Sequence, residues 1–324
     1  MPNQTLARYS APFWLPGGDL QTIWGALIAS PAMAYRRERW QLPDGDFIDL
    51  DWVDGPAEAP LVVLFHGLEG DSRSAYALHL MAQVKRRGWR GVVPHFRGCS
   101  GEPNRLPRAY HSGDSAEIDA ILRRLRQDHA LLFAAGVSLG GNALLKWLGE
   151  QGEAARAVLL AAAGISAPLD LPAAGAALDQ GFARVYTARF LRTLKRKALA
   201  KLDRFPGLYD RQAVKGVSRI AAFDTLVTAR LHGYRDAEDY WRRCASKPWL
   251  AHIRVPTLVI NARNDPFMPA AALPAPSDVS AHVTLDFPAQ GGHVGFVTGP
   301  FPGGFDWLPQ RVLGYFARAA EFES

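Results

Sequence analysis

The chain has 324 residues, of which 48% are apolar, so it can form one large α/β domain with an insertion or two domains. It contains no run of about 18 uncharged apolar residues, and it therefore predicts no membrane-spanning helix. Residues 1–18 lack a basic start followed by a long apolar stretch, and the two cysteines provide no disulfide framework. We therefore expect a cytoplasmic protein. The formal charge of +6 is a modest excess that by itself says little about partners, and we expect no nucleic-acid partner.

Short apolar runs alternate with helical stretches along the first half of the chain. Residues 36–53 alternate about a Pro-Asp-Gly-Asp turn, which predicts an antiparallel hairpin. Buried strands are predicted at 60–67, 89–96, 130–136 and 155–164, and helices at 74–88, 111–128 and 139–152. Near the end of the chain, strands are predicted at 255–263 and 281–289, followed by a helix at 305–322. This alternation predicts an α/β fold with a mostly parallel central sheet and helices on both faces.

Residues 166–252 interrupt the alternation, because this stretch has helical patterns and no convincing strand. Helices inserted between two strands of such a sheet usually form a cap over its C-terminal edge. We therefore predict a core formed by 1–165 and 253–324, and an inserted helical cap at 166–252. The apolar residues expected to line the cap are Leu169, Leu171, Leu178, Phe182, Phe190, Leu194, Phe223 and Leu226.

The sequence Gly136-Val137-Ser138-Leu139-Gly140 matches the pattern G-x-S-x-G, with a predicted strand before it and a helix after it. Glycines remove side chains that would clash in so sharp a turn, and Ser138 is then displayed at the head of the helix. This context predicts that Ser138 is a nucleophile. The alternative is a glycine-rich connection between strand and helix with no catalytic role.

A serine nucleophile needs a base that a third group orients. Asp265 follows the strand predicted at 255–263, and His293 follows the last strand in a loop with three nearby glycines. In proteins with this strand–turn–helix motif, the three catalytic residues follow the order Ser, Asp, His along the chain. We therefore predict Asp265 as the orienting acid and His293 as the base. The alternatives are a turn-forming Asn-Asp-Pro and a solvated loop histidine.

An oxyanion hole is predicted from two backbone amides, those of Leu68 and Leu139. Leu68 follows the His-Gly pair that ends the first buried strand, and Leu139 is in the first turn of a helix, where free amides favour negative charge. His66 precedes the serine and is expected to brace its loop. His66 and Asp71 also match H-x4-D, a pattern of some acyltransferases, and chance explains this match better.

Several longer stretches resemble the YheT-like branch of the α/β-hydrolases, which includes mammalian abhydrolase-domain proteins and yeast medium-chain acyl ester synthases. They are FHGLEG, GWRGVVPHFRGCSGEPNR, AYHSGD and GVSLGGNALLKWLGE, together with GDLQTIWGALI near the start. By this resemblance Ser138, Asp265 and His293 fall on the triad of the family. The resemblance implies carboxylic-ester hydrolysis, with acyl transfer to alcohols in some members.

We therefore expect a serine carboxylic-ester hydrolase that acts on short to medium acyl esters through an acyl-enzyme, with a small-molecule ester as partner and no cofactor or metal. An acyltransferase with the same triad is the first alternative, and a non-catalytic binding scaffold of the same fold is the second. The basic stretch 189–204 has two interpretations. It is either a surface helix in contact with an anionic membrane or a cap helix with a solvated basic face.

Overall fold

A central sheet organises the computed structural model, which describes residues 8–321. The strands are β1 (Arg36–Gln41), β2 (Phe47–Val53), β3 (Leu61–Phe65), β4 (Arg90–Pro94), β5 (Leu132–Val137), β6 (Ala161–Ile165), β7 (Thr257–Ile260) and β8 (Val283–Asp286). Their spatial order is β1-β2-β4-β3-β5-β6-β7-β8. The β1–β2 and β2–β4 pairs are antiparallel, and all others are parallel. The predicted fold class is confirmed.

Helices cover both faces of the sheet. Those outside the insertion are α1 (Gly18–Leu27), α2 (Ala75–Arg86), α3 (Ser115–Asp128), α4 (Leu139–Gln151) and α11 (Trp307–Glu321). In β3, Leu61, Val63 and Phe65 pack in the apolar layer of α3 and α4, whereas Val62 and Leu64 pack in the layer of α2 and α11. All five residues of β3 are buried, which explains why the strand has a continuous apolar sequence.

The helices of the insertion follow β6 and precede β7. They are α5 (Leu171–Leu178), α6 (Ala183–Arg204), α7 (Arg211–Gly216), α8 (Ile220–Phe223), α9 (Arg230–His232) and α10 (Ala237–Cys244). A π-helical turn at Asp224–Ala229 joins α8 to α9. The described insertion contains no strand, as the sequence predicts. We call residues 166–252 the inserted helical segment.

The inserted helical segment has an apolar core of its own. Leu191, Leu202, Val214, Ile220 and Phe223 are among its buried members. Polar contacts join the segment to the rest of the molecule, because Lys201 Nζ donates to the carbonyl oxygens of Leu106 and Arg108 at 3.0 and 2.9 Å. The segment therefore has a core of its own, and it is attached to the rest of the protein both by buried apolar residues such as Leu169 and Leu250 and by long cationic side chains.

Four details differ from the sequence-based expectations. The strand predicted from residue 155 begins only at Ala161, because Gly152–Ala157 form a 3-10 helix; an apolar run alone does not distinguish helix from strand. Phe182, expected to line the cap, is 51% exposed, and Leu169 lies in the main core. The helix α1 was not among the predicted elements. No helix among the described residues is long and apolar enough to cross a membrane.

Candidate active site

Ser138 lies at a sharp turn between β5 and α4. Its backbone has a positive φ of 52°, which a residue with a side chain rarely adopts. Its N–H nevertheless donates to the carbonyl oxygen of Ile165 in β6 at 2.8 Å, so the turn is held by the sheet. The backbone strain is thus confined to this turn. The turn places the half-buried serine hydroxyl at the carboxyl end of the parallel strands.

The glycines on either side of Ser138 are required by close backbone contacts. A Cβ atom on Gly136 would lie 2.5 Å from the carbonyl oxygen of Gly140. A Cβ on Gly140 would lie 2.5 Å from the carbonyl oxygens of Phe65 and His66. Any larger residue at Gly136 or Gly140 would separate α4 from the strands, so the G-x-S-x-G pattern follows from packing at this turn.

The structure brings Ser138, Asp265 and His293 into one hydrogen-bonded chain. His293 Nε2 lies 3.0 Å from Ser138 Oγ, and His293 Nδ1 lies 2.9 Å from Asp265 Oδ2. An ionised carboxylate only accepts hydrogen bonds, so Nδ1 carries the imidazole proton and Nε2 is left as the acceptor for the serine hydroxyl. This arrangement suits the removal of a proton from Ser138.

The Asp265 carboxylate is fixed from both sides. Its Oδ1 accepts a hydrogen bond from the Phe267 N–H at 2.8 Å, while Oδ2 faces His293. The side chain of Asp265 is fully buried and that of His293 is 11% exposed. The Phe267 ring lies against the imidazole with centroids 4.2 Å apart. Water therefore has little access to the acid, and the imidazole has one orientation available.

The loop that follows β3 lies next to the serine turn and carries Leu68, one of the two residues whose amides are predicted to form the oxyanion hole. Gly67 N–H donates to the Tyr76 hydroxyl at 2.9 Å, and Glu69 N–H donates to the Tyr110 hydroxyl at 2.8 Å. The Leu68 N–H between them, and the Leu139 N–H at the start of α4, donate to no residue within 8–321. Both amides are thus available to an external acceptor.

His66 braces this loop through both ring nitrogens. Its Nε2 accepts from the Phe96 N–H at 3.1 Å, so Nδ1 carries the proton and donates to the Gly67 carbonyl oxygen at 2.8 Å. Burial lowers the pKa of His66 to about 3. The ring is therefore neutral at pH 7 and fully used in hydrogen bonds, with no free nitrogen to act as a base.

The helix α1, whose sequence carries part of the family resemblance, holds the histidine loop in place. Thr22 Oγ1 accepts from the His293 N–H at 2.8 Å and donates to the Gly18 carbonyl oxygen at 2.7 Å. Gln21 Oε1 accepts from the Gly291 N–H at 2.8 Å and from Asn264 Nδ2 at 3.0 Å. One buried helix face thus supports the loops of both the acid and the base.

The inserted helical segment contacts the oxyanion loop through a second unpredicted group. Lys197 Nζ lies 2.8 Å from Glu69 Oε1, which also accepts from the Tyr110 hydroxyl at 2.8 Å. Glu69 has a positive φ of 55°, and these contacts hold the residue that follows Leu68 in this conformation. No local sequence signal identifies the contacts, because Lys197 and Glu69 are 128 residues apart.

Two thiols, those of Cys99 and Cys244, are the alternative sulfur nucleophiles. Burial raises the pKa of Cys99 and of Cys244 to about 11, so both are protonated thiols at neutral pH and neither is an activated nucleophile. Within residues 8–321, no group of three or more His, Cys, Asp or Glu side chains is placed to hold a metal ion.

The fold and this site define the class of protein. A family model that describes the α/β hydrolase fold matches residues 60–300, which is most of the chain. The protein therefore belongs to the α/β hydrolase family. The more specific resemblance to the YheT-like branch is also confirmed, because the chain is 44% identical to YheT of Escherichia coli over 89% of this chain and 86% of that protein.

Other similar proteins extend this comparison. The name of YheT assigns it provisionally to the esterases. Mouse phospholipase ABHD3 is 31% identical over 96% of this chain and 78% of its own length. Among solved structures, Est1E from Butyrivibrio proteoclasticus, with ferulic acid bound, superposes with a TM-score of 0.57. That match covers 89% of this chain and 100% of the other at 12% identity, and so it supports the fold alone.

Proposed function

We propose that the protein is a serine hydrolase of carboxylic esters. The observation that carries the proposal is the position of the His293 imidazole, 3.0 Å from Ser138 Oγ and 2.9 Å from the Asp265 carboxylate. The names of its relatives, esterase for YheT and phospholipase for ABHD3, both describe cleavage of ester bonds. Geometry and relatives thus favour the same reaction class.

The mechanism follows from the hydrogen bonds. His293 Nε2 accepts the Ser138 proton as Oγ attacks the ester carbonyl, and Asp265 stabilises the imidazolium that forms. The amides of Leu68 and Leu139 donate to the developing oxyanion. His293 then protonates the leaving alcohol, which leaves an acyl group on Ser138. His293 next deprotonates a water molecule, which attacks the acyl group on Ser138. The carboxylic acid product leaves, and Ser138 regains its proton from His293.

We further propose that the substrates carry short to medium acyl chains and that the inserted helical segment caps the site and limits their length. The Phe267 ring lies against His293, and Phe190 of α6 lies 6.0 Å from Phe267 between ring centroids. Apolar rings from the core and from the segment therefore adjoin the base. Each methylene buried there would contribute about 0.8 kcal/mol, or roughly a fourfold gain in kcat/KM. We expect the gain to stop where the segment blocks the chain.

A labelling experiment tests the nucleophile. The wild-type protein should react with a fluorophosphonate probe and hydrolyse p-nitrophenyl esters, and Ser138→Ala should lose both properties while it keeps its fold. Ser246→Ala is the matched control, because the Ser246 hydroxyl is buried and makes no hydrogen bond. A Ser138→Ala protein that still reacts with the probe, or retains more than a few per cent of turnover, would contradict the assignment.

A series of p-nitrophenyl esters of increasing acyl length tests the specificity. The value of kcat/KM should rise from acetate to an optimum at a short or medium chain and fall for long chains. A profile that is flat, or that rises without limit, would contradict a pocket closed by the segment. Adding a primary alcohol to the same assay measures how the acyl group divides between water and alcohol.

A further inference from the structure

The helix α1 has the opposite burial pattern to an ordinary surface helix. Its buried residues include Gln21 and Thr22, whereas Leu20 is 53% and Leu27 is 70% exposed. With Trp24 they occur at positions i, i+4 and i+7, so these three apolar side chains form one stripe on the solvent side of the helix. A globular protein normally turns such a stripe inward, and an outward stripe indicates a contact outside the chain.

Leu20 and Leu27 are two of the large apolar residues that are exposed within residues 8–321. The others are Phe13, Phe182, Val185 and Phe301. Trp14 connects three of the segments, because its ring lies 5.7 Å from Trp24 and 5.4 Å from Phe301. The Tyr186 hydroxyl, at the start of α6, donates to Asp19 Oδ1 of α1 at 3.2 Å. We name these six residues, together with Trp14 and Trp24, the α1–α6 surface.

The indoles of this surface have their polar atoms satisfied by the protein. Trp14 Nε1 donates to the Gly299 carbonyl oxygen at 3.0 Å, and Trp24 Nε1 donates to the Pro302 carbonyl oxygen at 2.9 Å. The rings can therefore enter an apolar phase without leaving a donor unpaired. Tryptophan is also the side chain that accumulates at membrane–water interfaces.

The surface is bordered by positive charge. Arg184, Arg189, Arg192 and Arg196 of α6 are exposed and form no ion pair with any residue that the structure describes. No acidic residue occurs between residues 183 and 202. The lysines of the same helix behave differently, because Lys197 and Lys201 reach inward to Glu69 and to backbone carbonyls. The outward arginines are thus available to an external anion.

We propose that the α1–α6 surface docks the protein on an anionic lipid bilayer. The apolar side chains would enter the boundary between headgroups and acyl chains, and the arginines of α6 would face the phosphate groups. A second copy of this chain is a poorer occupant, because a two-fold interface would bring the same unpaired arginines of both copies together. Since Thr22 on the buried face of α1 holds the His293 loop, docking would place the candidate site beside the membrane.

Vesicle co-sedimentation of the purified full chain tests the proposal. The wild type should bind vesicles of phosphatidylcholine mixed with phosphatidylglycerol and bind phosphatidylcholine alone more weakly. Leu20→Ser/Leu27→Ser removes the stripe, and Arg189→Glu/Arg192→Glu reverses two charges. Each double variant should lower the partition coefficient by about tenfold or more. Circular dichroism and the thermal midpoint would verify that each variant is folded.

The matched control is Arg87→Glu/Arg156→Glu, which reverses two exposed arginines that precede β4 and β6 at the opposite edge of the sheet. It should bind vesicles within about twofold of the wild type, because those residues lie away from the docked face. An equal loss in the control would mean that binding follows net charge alone, and it would overturn the proposal. Failure of the wild type to bind anionic vesicles would also overturn it.

Two further results would decide the occupant. If Leu20→Ser/Leu27→Ser converts a dimer to a monomer and the wild type ignores vesicles, a second copy covers the surface and the proposal is wrong. The second result comes from fluorescence measured on folded protein. Lipids with brominated acyl chains quench the fluorescence of nearby tryptophans. Trp24→Phe should reduce this quenching if the surface is inserted. Unchanged quenching in Trp24→Phe would contradict insertion of α1.

Discussion

The carboxyl edge of the sheet and the inserted helical segment are built in different ways. At the edge, backbone atoms touch backbone atoms, so that a Cβ on Gly140 would lie 2.5 Å from two carbonyl oxygens. In the segment, Gly216 has no atom within 4 Å of such a Cβ, and the helices pack around an apolar core of their own. Both ends of the segment pack into the main core, through Leu169 and Leu250, whereas its long helix α6 reaches the rest of the protein through side chains such as Lys197 and Lys201.

The difference shows which part of the protein needs precisely fixed atomic positions. Proton transfer between Ser138 and His293 depends on distances near 3 Å, and close backbone packing keeps those distances constant. The proposed role of the segment, selection among acyl chains, depends on volume and tolerates small movements. Equivalent substitutions should therefore cost more near the catalytic edge than on the outer helices of the segment. Two pairs of variants test this expectation, and a pH experiment tests the boundary between the two regions.

The largest effect is expected from Gly140→Ala. The added methyl group would meet the carbonyl oxygens of Phe65 and His66, and neither backbone atom can move without separating α4 from β3. We expect a loss of about 3 kcal/mol in the free energy of unfolding, measured by urea denaturation, and a loss of probe labelling.

Gly216→Ala is the control in the segment. Its backbone φ is not positive, the residue lies at the end of α7, and the new methyl group meets open space. The change should alter the unfolding free energy by less than about 1 kcal/mol, towards greater stability. Similar losses for Gly140→Ala and Gly216→Ala would remove the distinction between the two regions.

A smaller effect is expected from Thr22→Val. The new side chain has nearly the same shape, but the buried His293 N–H loses the acceptor that lies 2.8 Å away. We expect about 2 kcal/mol of destabilisation and slower probe labelling of Ser138, because the histidine loop is less well held. Thr193→Val in α6 is the control, since Thr193 only donates to the Phe190 carbonyl oxygen of its own helix. It should cost about 0.5 kcal/mol or less, and an equal slowing of labelling would contradict the proposed support by α1.

The smallest effect concerns the boundary between the two regions, where His232 of α9 lies against His111 of the core with ring centroids 4.3 Å apart. Burial and, to a smaller extent, the neighbouring His111 lower the pKa of His232 to about 3. Burial and, to a smaller extent, the positive charges of Arg108 and Lys146 lower the pKa of His111 to about 3 as well. Between pH 6.5 and about 3 the unfolded chain therefore binds protons that the folded protein does not, and stability falls as the pH falls.

His232→Gln removes one of these groups. The stability of the variant should fall less steeply with acidification than that of the wild type, by up to about 1.4 kcal/mol per pH unit. Urea unfolding at several pH values from 6.5 to 5.5 would measure both slopes. A constant difference between the two proteins across this range would mean that His232 titrates normally and that the boundary is open to water.

Much of the candidate site could be predicted from the sequence because its parts follow strand ends. Ser138 directly follows β5, Asp265 and His293 lie in the loops that follow β7 and β8, and parallel strands bring their carboxyl ends to one edge. The supporting residues could not be predicted in this way. Thr22 and His293 are 271 residues apart, and Thr22 lies on a helix whose exposed face is apolar. A rule that places apolar residues inside would have assigned α1 the wrong buried face.

The sequence by itself determined the order of strands and helices, the G-x-S-x-G turn and the order of the three polar residues, because these depend on local periodicity and on close packing around glycine. Only the tertiary structure decided which distant groups meet. It joined Gln21 and Thr22 to the loops of Asp265 and His293, and it joined Lys197 to Glu69. It also left Phe182 at the surface, because the apolar core of the segment was filled by other side chains. Such contacts depend on how whole elements pack, which no short stretch of sequence records.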